Sequence, residues 1–112
     1  MEPVPSVSVA DLPADAVLLD VREDEEWVAG HIDGAVHMPM MSVPQRLGYD
    51  PGPVTPDAHV VVVCKVGGRS AQVTAWLRAQ GYNAANLTGG MLAWDAAGKQ
   101  MISETAQPPA VV

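Results

Sequence analysis

The chain has a single cysteine, no phenylalanine and only six basic residues among 112. One cysteine cannot form an internal disulfide, and it rules out a CxxC pair or a thiolate-rich metal site. A reducing compartment suits such a chain best. Against 13 acidic residues, the six lysines and arginines leave a net charge of -7. That excludes a nucleic-acid partner, since phosphate backbones are held by clustered lysine and arginine. No apolar run approaches membrane-spanning length. Met1 to Pro5 shows neither the basic segment nor the apolar core of a secretory signal, so the expected location is cytoplasmic. Without phenylalanine, valine, alanine and three tryptophans must fill the interior.

What is present is a sequence for one folded domain. Nearly half of the residues are apolar and 17% are charged, a globular rather than a disordered balance. The length allows one core and not two.

The most informative stretch is Val60 to Ser70. Val60 to Val63 is a β-branched run too short for a helix, and it reads as a strand buried on both faces. Arg69 to Gln80, with Val73, Trp76 and Leu77 on one face, reads as a helix closed by Gly81. Cys64 then stands at the end of a buried strand, facing a glycine-bearing loop that opens a helix. A thiol becomes a good nucleophile only as thiolate. Backbone N–H groups of residues 65 to 70 folded around the sulfur would favour that charge, as would the positive end of the helix dipole. Gly67 and Gly68 permit the positive φ such a cradle needs. Lys65 and Arg69 add charge that attracts an anionic substrate. A lone cysteine after a valine run is ordinarily a small buried hydrophobe. The coincidence of strand, glycine pair, two basic residues and helix start favours chemistry instead.

The segment Cys64-Lys65-Val66-Gly67-Gly68-Arg69-Ser70 resembles the active loop of rhodanese-type sulfurtransferases, with four residues between cysteine and arginine and a serine next. Three further segments resemble signatures of the same family in the same order: Leu18-Leu19-Asp20-Val21-Arg22, then Gly30-His31-Ile32 followed by Gly34-Ala35 and Pro39, then Gly89-Gly90 with Trp94. The resemblance spans residues 6–97. It implies the compact rhodanese fold, an α/β domain with a mainly parallel central sheet and helices on both faces. That agrees with the alternation of apolar strands and helical stretches along the chain.

Taken in order, Pro3 and Pro5 suggest an extended start, Ser6 to Val9 an edge strand, and Ala10 to Ala14 a turn. Ala16 to Leu19 reads as a buried strand ending at Asp20 and Arg22. Asp20 has two readings, a salt bridge to Arg69 or Arg22 that fixes the loop, or a cap for the acidic segment Glu23 to Glu26. The resemblance supports Asp20 and Arg22 as structural support. Glu23 to Val28 reads as a short helix with Trp27 turned to the core and Gly30 stopping it. His31, in a turn, is a hydrogen-bonding residue rather than a general base, and His31 with His37 does not make a metal site. Met40 to Gly48 permits a weak helix with Pro44 near its start. Tyr49 to Asp57 is a loop by its prolines and glycine. Ala84 to Leu87 is a weak strand. Gly89 and Gly90 let the backbone pass close to the Cys64 loop. Trp94 is a core residue. Residues 98–112 have lost periodicity and read as a mobile tail, or one that docks on a neighbour.

The resemblance implies sulfur transfer by a ping-pong route. Cys64 is the nucleophile, and Lys65, Val66, Gly67, Gly68, Arg69 and Ser70 bind the substrate. The donor is a small anion such as thiosulfate, the acceptor cyanide or a thiol, and neither metal nor organic cofactor is required. Two other readings share the cysteine. Cysteine phosphatases and arsenate reductases use a similar cradle, but with five residues between cysteine and arginine. A binding or sulfur-relay module would keep the fold with little turnover. The loop departs from the commonest family form at Lys65, where arginine is usual, and at Val66, where a small hydroxyl residue is frequent.

Overall fold

The computed structural model describes residues 4–112, so Pro3 and the residues before it lie outside the described part. Five strands form one sheet in the order β1-β5-β4-β2-β3: β1 (Ser6–Val7), β2 (Val17–Asp20), β3 (Val36–His37), β4 (Val60–Val63) and β5 (Ala84–Leu87). Every pairing is parallel. The sheet is therefore wholly parallel, a step beyond the expected mainly parallel one.

Parallel strands need crossovers, and four helices supply them or follow them. These are α1 (Asp24–Ala29), α2 (Val43–Tyr49), α3 (Gly68–Ala79) and α4 (Gly90–Ala96), with a 3-10 turn at Met40–Ser42 leading into α2. Among the described residues no helix is long and apolar enough to cross a membrane.

The four valines of β4 are all buried and divide between two cores. Val60 and Val62 face a cluster with Leu19, Val43 of α2, and Val73 and Leu77 of α3. Val61 and Val63 face the other with Leu87, Met91 and Trp94 of α4. A strand wrapped on both sides has no use for alternation, which is why an unbroken valine run occupies the centre. Helices thus cover both faces, as expected.

Several details differ from the sequence reading. Trp76, expected on the core face of α3, is 38% exposed and lines an apolar cleft of about 220 Å³ with Met40, Met41, Val43, Pro44, Gln72 and Val73. Tyr49 closes α2 rather than opening the following loop. Trp27 is half-buried, stacked against His31 and His37 at centroid distances of 3.6 and 4.5 Å. His31 accordingly serves structure, its Nδ1 lying 2.8 Å from the Trp27 carbonyl.

Residues 98–112, read as a mobile tail, lie along the domain. Ile102 forms an antiparallel bridge with His31, and the amides of Glu104 and Ala110 donate to the carbonyls of Val28 and Ala29 at 2.9 and 3.0 Å. Met101 and Val111 pack on the core cluster around Trp94. The polar composition of the tail hid these few anchors, which are backbone bonds and isolated apolar side chains.

Candidate active site

The carboxyl ends of parallel strands face loops that are free to take on function, and Cys64 follows directly on β4 at that edge. The chain leaves the strand, turns at Gly67 with φ +120°, and enters α3. Gly68, by contrast, is helical and does not use its freedom at φ.

Cys64 is 1% exposed and belongs to the apolar cluster of α2 and α3, so its sulfur lies deeper than an open crevice would place it. It is nevertheless not surrounded by hydrocarbon alone. The Gly67 amide donates to Sγ at 3.1 Å, and the Ser70 hydroxyl oxygen lies 3.2 Å away. Burial opposes ionisation most strongly, yet the Ser70 hydroxyl and the amides of Ser70, Gly67 and Val66 outweigh it, leaving the thiol pKa below its ordinary value. Three amides and a hydroxyl carry this effect, not the six amides expected.

The charged residues of the loop have separate fates. Lys65 is half-buried and Val66 is 59% exposed. Arg69, expected to receive an anion, is engaged by Glu26 of α1 through Nη1 to Oε1 at 2.7 Å and Nη2 to Oε2 at 3.0 Å. This contact holds the Glu26 carboxyl down to about 2.

Asp20 and Arg22 do not reach Arg69. Arg22 Nε donates to both Asp20 oxygens at 3.0 and 3.1 Å, Nη2 donates to Oδ2 at 2.8 Å, and both residues are buried. Of the two readings of Asp20, the bridge to Arg22 is the one formed. Arg22 Nη2 also donates to the Gly30 carbonyl at 2.8 Å, so the pair ties the end of β2 to the end of α1. The same helix carries Glu26, the partner of Arg69.

The third signature segment forms the underside. At Gly90, with φ +56°, a Cβ would collide with the Cys64 carbonyl and come within 2.7 Å of that of Lys65. The amides of Met91 and Leu92 donate to these same two carbonyls at 2.8 and 3.1 Å. The expected close passage of this backbone is therefore present, and it depends on the missing side chain.

Two residues at the site were not anticipated. Glu26 was read only as part of an acidic helix. Asn86, the one polar side chain of β5, is buried, and its amide donates to the Gly67 carbonyl at 3.2 Å. A polar residue inside an apolar strand was the available signal, since such a group needs partners there.

Comparison with known proteins agrees with this architecture. The family model described as Rhodanese-like domain matches residues 8–97. The putative sulfurtransferase YtwF of Bacillus subtilis (strain 168) is 40% identical over 78 residues, 70% of this chain and 72% of that protein. The thiosulfate:glutathione sulfurtransferase of Homo sapiens is 33% identical over 110 residues, 84% of this chain and 96% of that protein. A crystal structure of a rhodanese-like domain protein from Staphylococcus aureus superposes with a TM-score of 0.76 at 30% identity, covering 90% of this chain and 99% of that one. On sequence, on sheet order and on the loop after β4, the chain belongs to the rhodanese-like domain family.

Proposed function

We propose that the protein is a sulfurtransferase that carries a sulfane sulfur on Cys64. The observation that carries this reading is a thiol whose pKa is lowered by donors at the mouth of a parallel sheet, with Gly67 N–H and Ser70 Oγ both within 3.2 Å of the sulfur. The sulfurtransferase names of the relatives support the same class.

In the first half-reaction the Cys64 thiolate attacks the outer sulfur of thiosulfate. The S–S bond of the donor breaks, sulfite leaves with the bonding pair, and a persulfide anion remains on Cys64. In the second, a thiolate or cyanide attacks the outer sulfur of the persulfide and the cysteine thiolate departs. No electrons enter or leave the system as a whole. The N–H groups that favour the thiolate also favour the persulfide anion, whose charge is similar and lies one bond further out. The ε-ammonium of Lys65 attracts the donor. Arg69, already paired, steadies the loop through Glu26 and contributes less to binding than an unpaired arginine. Because Cys64 is almost wholly covered, the loop yields locally before the donor reaches the sulfur.

Intact mass spectrometry after incubation with thiosulfate tests this reading, with Cys64→Ser as the control. A gain of one sulfur on the wild type and none on the variant is expected. An unchanged wild-type mass under every donor tried, thiosulfate and glutathione persulfide included, would remove the proposal.

A further inference from the structure

Asn86 stands in β5 in register with Val62 of β4, and it is only 9% exposed. A primary amide inside a sheet costs free energy unless its hydrogen bonds are made. Both ends of this one are bonded to the cysteine loop. Nδ2 donates to the Gly67 carbonyl at 3.2 Å, and Oδ1 lies 2.5 Å from the Ser70 hydroxyl oxygen. Gly67 N–H and Ser70 Oγ lie 3.1 and 3.2 Å from Cys64 Sγ.

We propose that Asn86 is a positioning residue for Cys64, bracing both donors that face the sulfur and holding the Ser70 hydroxyl proton while the sulfur is protonated. The hydroxyl has one proton and two acceptors within reach. With a neutral thiol, S–H donates to Ser70 Oγ, whose own proton lies on Asn86 Oδ1. When the thiol proton leaves to solvent, the hydroxyl turns to donate to the thiolate, and Oδ1 gives up its donor. The bond from Nδ2 to Gly67 persists in both states and keeps the Gly67 N–H on the sulfur.

The charged groups around the sulfur are accounted for separately. Asp20 and Arg22 at the end of β2 pair with each other, and Arg69 of α3 pairs with Glu26 of α1. His37 of β3 is bonded to the Arg22 carbonyl, and Arg78, in the last turn of α3, to the Ala84 carbonyl. Lys65 belongs to the loop itself, while β5 and the first turn of α4 bring no charge. Replacing Asn86 by a neutral residue therefore acts on hydrogen bonding alone.

This inference rests on Cys64 working as a thiolate, but its test needs no sulfur transfer. The rate of alkylation of Cys64 by iodoacetamide is followed against pH by intact mass, with circular dichroism reporting the fold. Asn86→Ala releases the Gly67 N–H, which moves the profile to higher pH, and frees the Ser70 hydroxyl for the sulfur, which moves it back, so the net shift with Ser70 present should be small. Asn86→Asp keeps the shape and the acceptor for Ser70 but sets a negative oxygen against the Gly67 carbonyl, and should move the profile to higher pH and slow alkylation below the wild-type midpoint about tenfold, the scale of a lost bond to a charged group. In a Ser70→Ala background only the Gly67 arm remains to be lost, so Asn86→Ala should move the profile further to higher pH than it does with Ser70 present. An unmoved profile in folded Asn86→Asp, or an Asn86→Ala shift in the Ser70→Ala background no further upward than with Ser70 present, overturns the assignment. Should Asn86→Ala not fold, Asn86→Asp decides alone. A shifted profile in a protein that takes no sulfur from any donor would leave the brace standing and remove the sulfurtransferase reading instead.

Discussion

Arg69 is held by Glu26 in a two-pronged pair, 2.7 and 3.0 Å long, that joins the first turn of α3 to α1 across 43 residues of sequence. The Arg69 hydrogen bond is the main reason the Glu26 carboxyl is lowered from 4.5 to about 2, with burial opposing it. A depressed carboxylate stabilises the fold above its unfolded value and loses that contribution as pH falls through the folded one. Wild-type stability should therefore decline between about pH 4.5 and 2 in part through this pair. Glu26→Gln should cost about 1 kcal/mol at pH 7, since Arg69 is partly solvated, and should flatten that decline. Urea denaturation at pH 7 and at pH 3 measures both.

The Asp20–Arg22 pair is a stronger structural commitment because both side chains are buried. Asp20→Ala leaves a buried guanidinium without its carboxylate and should destabilise the domain by about 3–5 kcal/mol. Replacing both residues, Asp20→Ala with Arg22→Met, should cost clearly less than the sum of the single changes. Equilibrium denaturation of the four proteins in this cycle tests the claim.

Gly90→Ala should be among the most damaging single-methyl additions in the chain. Its Cβ would enter the space of the Cys64 and Lys65 carbonyls, and its φ is +56°. A loss of about 2–4 kcal/mol is expected in chemical denaturation. Gly48→Ala, where nothing lies within 4 Å and the backbone is helical, is the matched control and should be neutral or slightly stabilising.

The C-terminal segment offers a coupled test. A Cβ on Gly30 would lie 2.6 Å from the Ala110 carbonyl, and Ala110 is bonded to Ala29. Gly30→Ala should destabilise the full chain, whereas in a chain ending at Lys99 the same change should have almost no further effect. The truncation itself should cost roughly 2–4 kcal/mol, through the main-chain bonds of Ile102, Glu104 and Ala110 and the packing of Met101 and Val111. Thermal melts of the four combinations separate these contributions.

Residue types made the central sheet and the cysteine loop legible before any coordinates. Four consecutive valines have no stable home except between two layers, and a glycine after a strand-end cysteine marks a change of direction. The partners of the loop were harder to read. Glu26 is one acid among several in its helix, and only the fold reveals that it meets Arg69. Asn86 sits in a strand whose neighbours are Ala85 and Leu87, and its two bonds run to residues 16 and 19 positions away. Trp76 was misplaced for a related reason, since helical spacing puts it beside Val73 and Leu77 but cannot say how far the apolar cover extends. The contacts of residues 98–112 stay hidden in the sequence because main-chain bonds leave no mark on composition.

The amides of Met91 and Leu92 fasten the carbonyls of Cys64 and Lys65 from beneath. Freedom in the loop is thereby left to its upper rim, where Val66 projects into solvent. On the sulfurtransferase reading, a donor reaches the sulfur by way of that rim rather than from below.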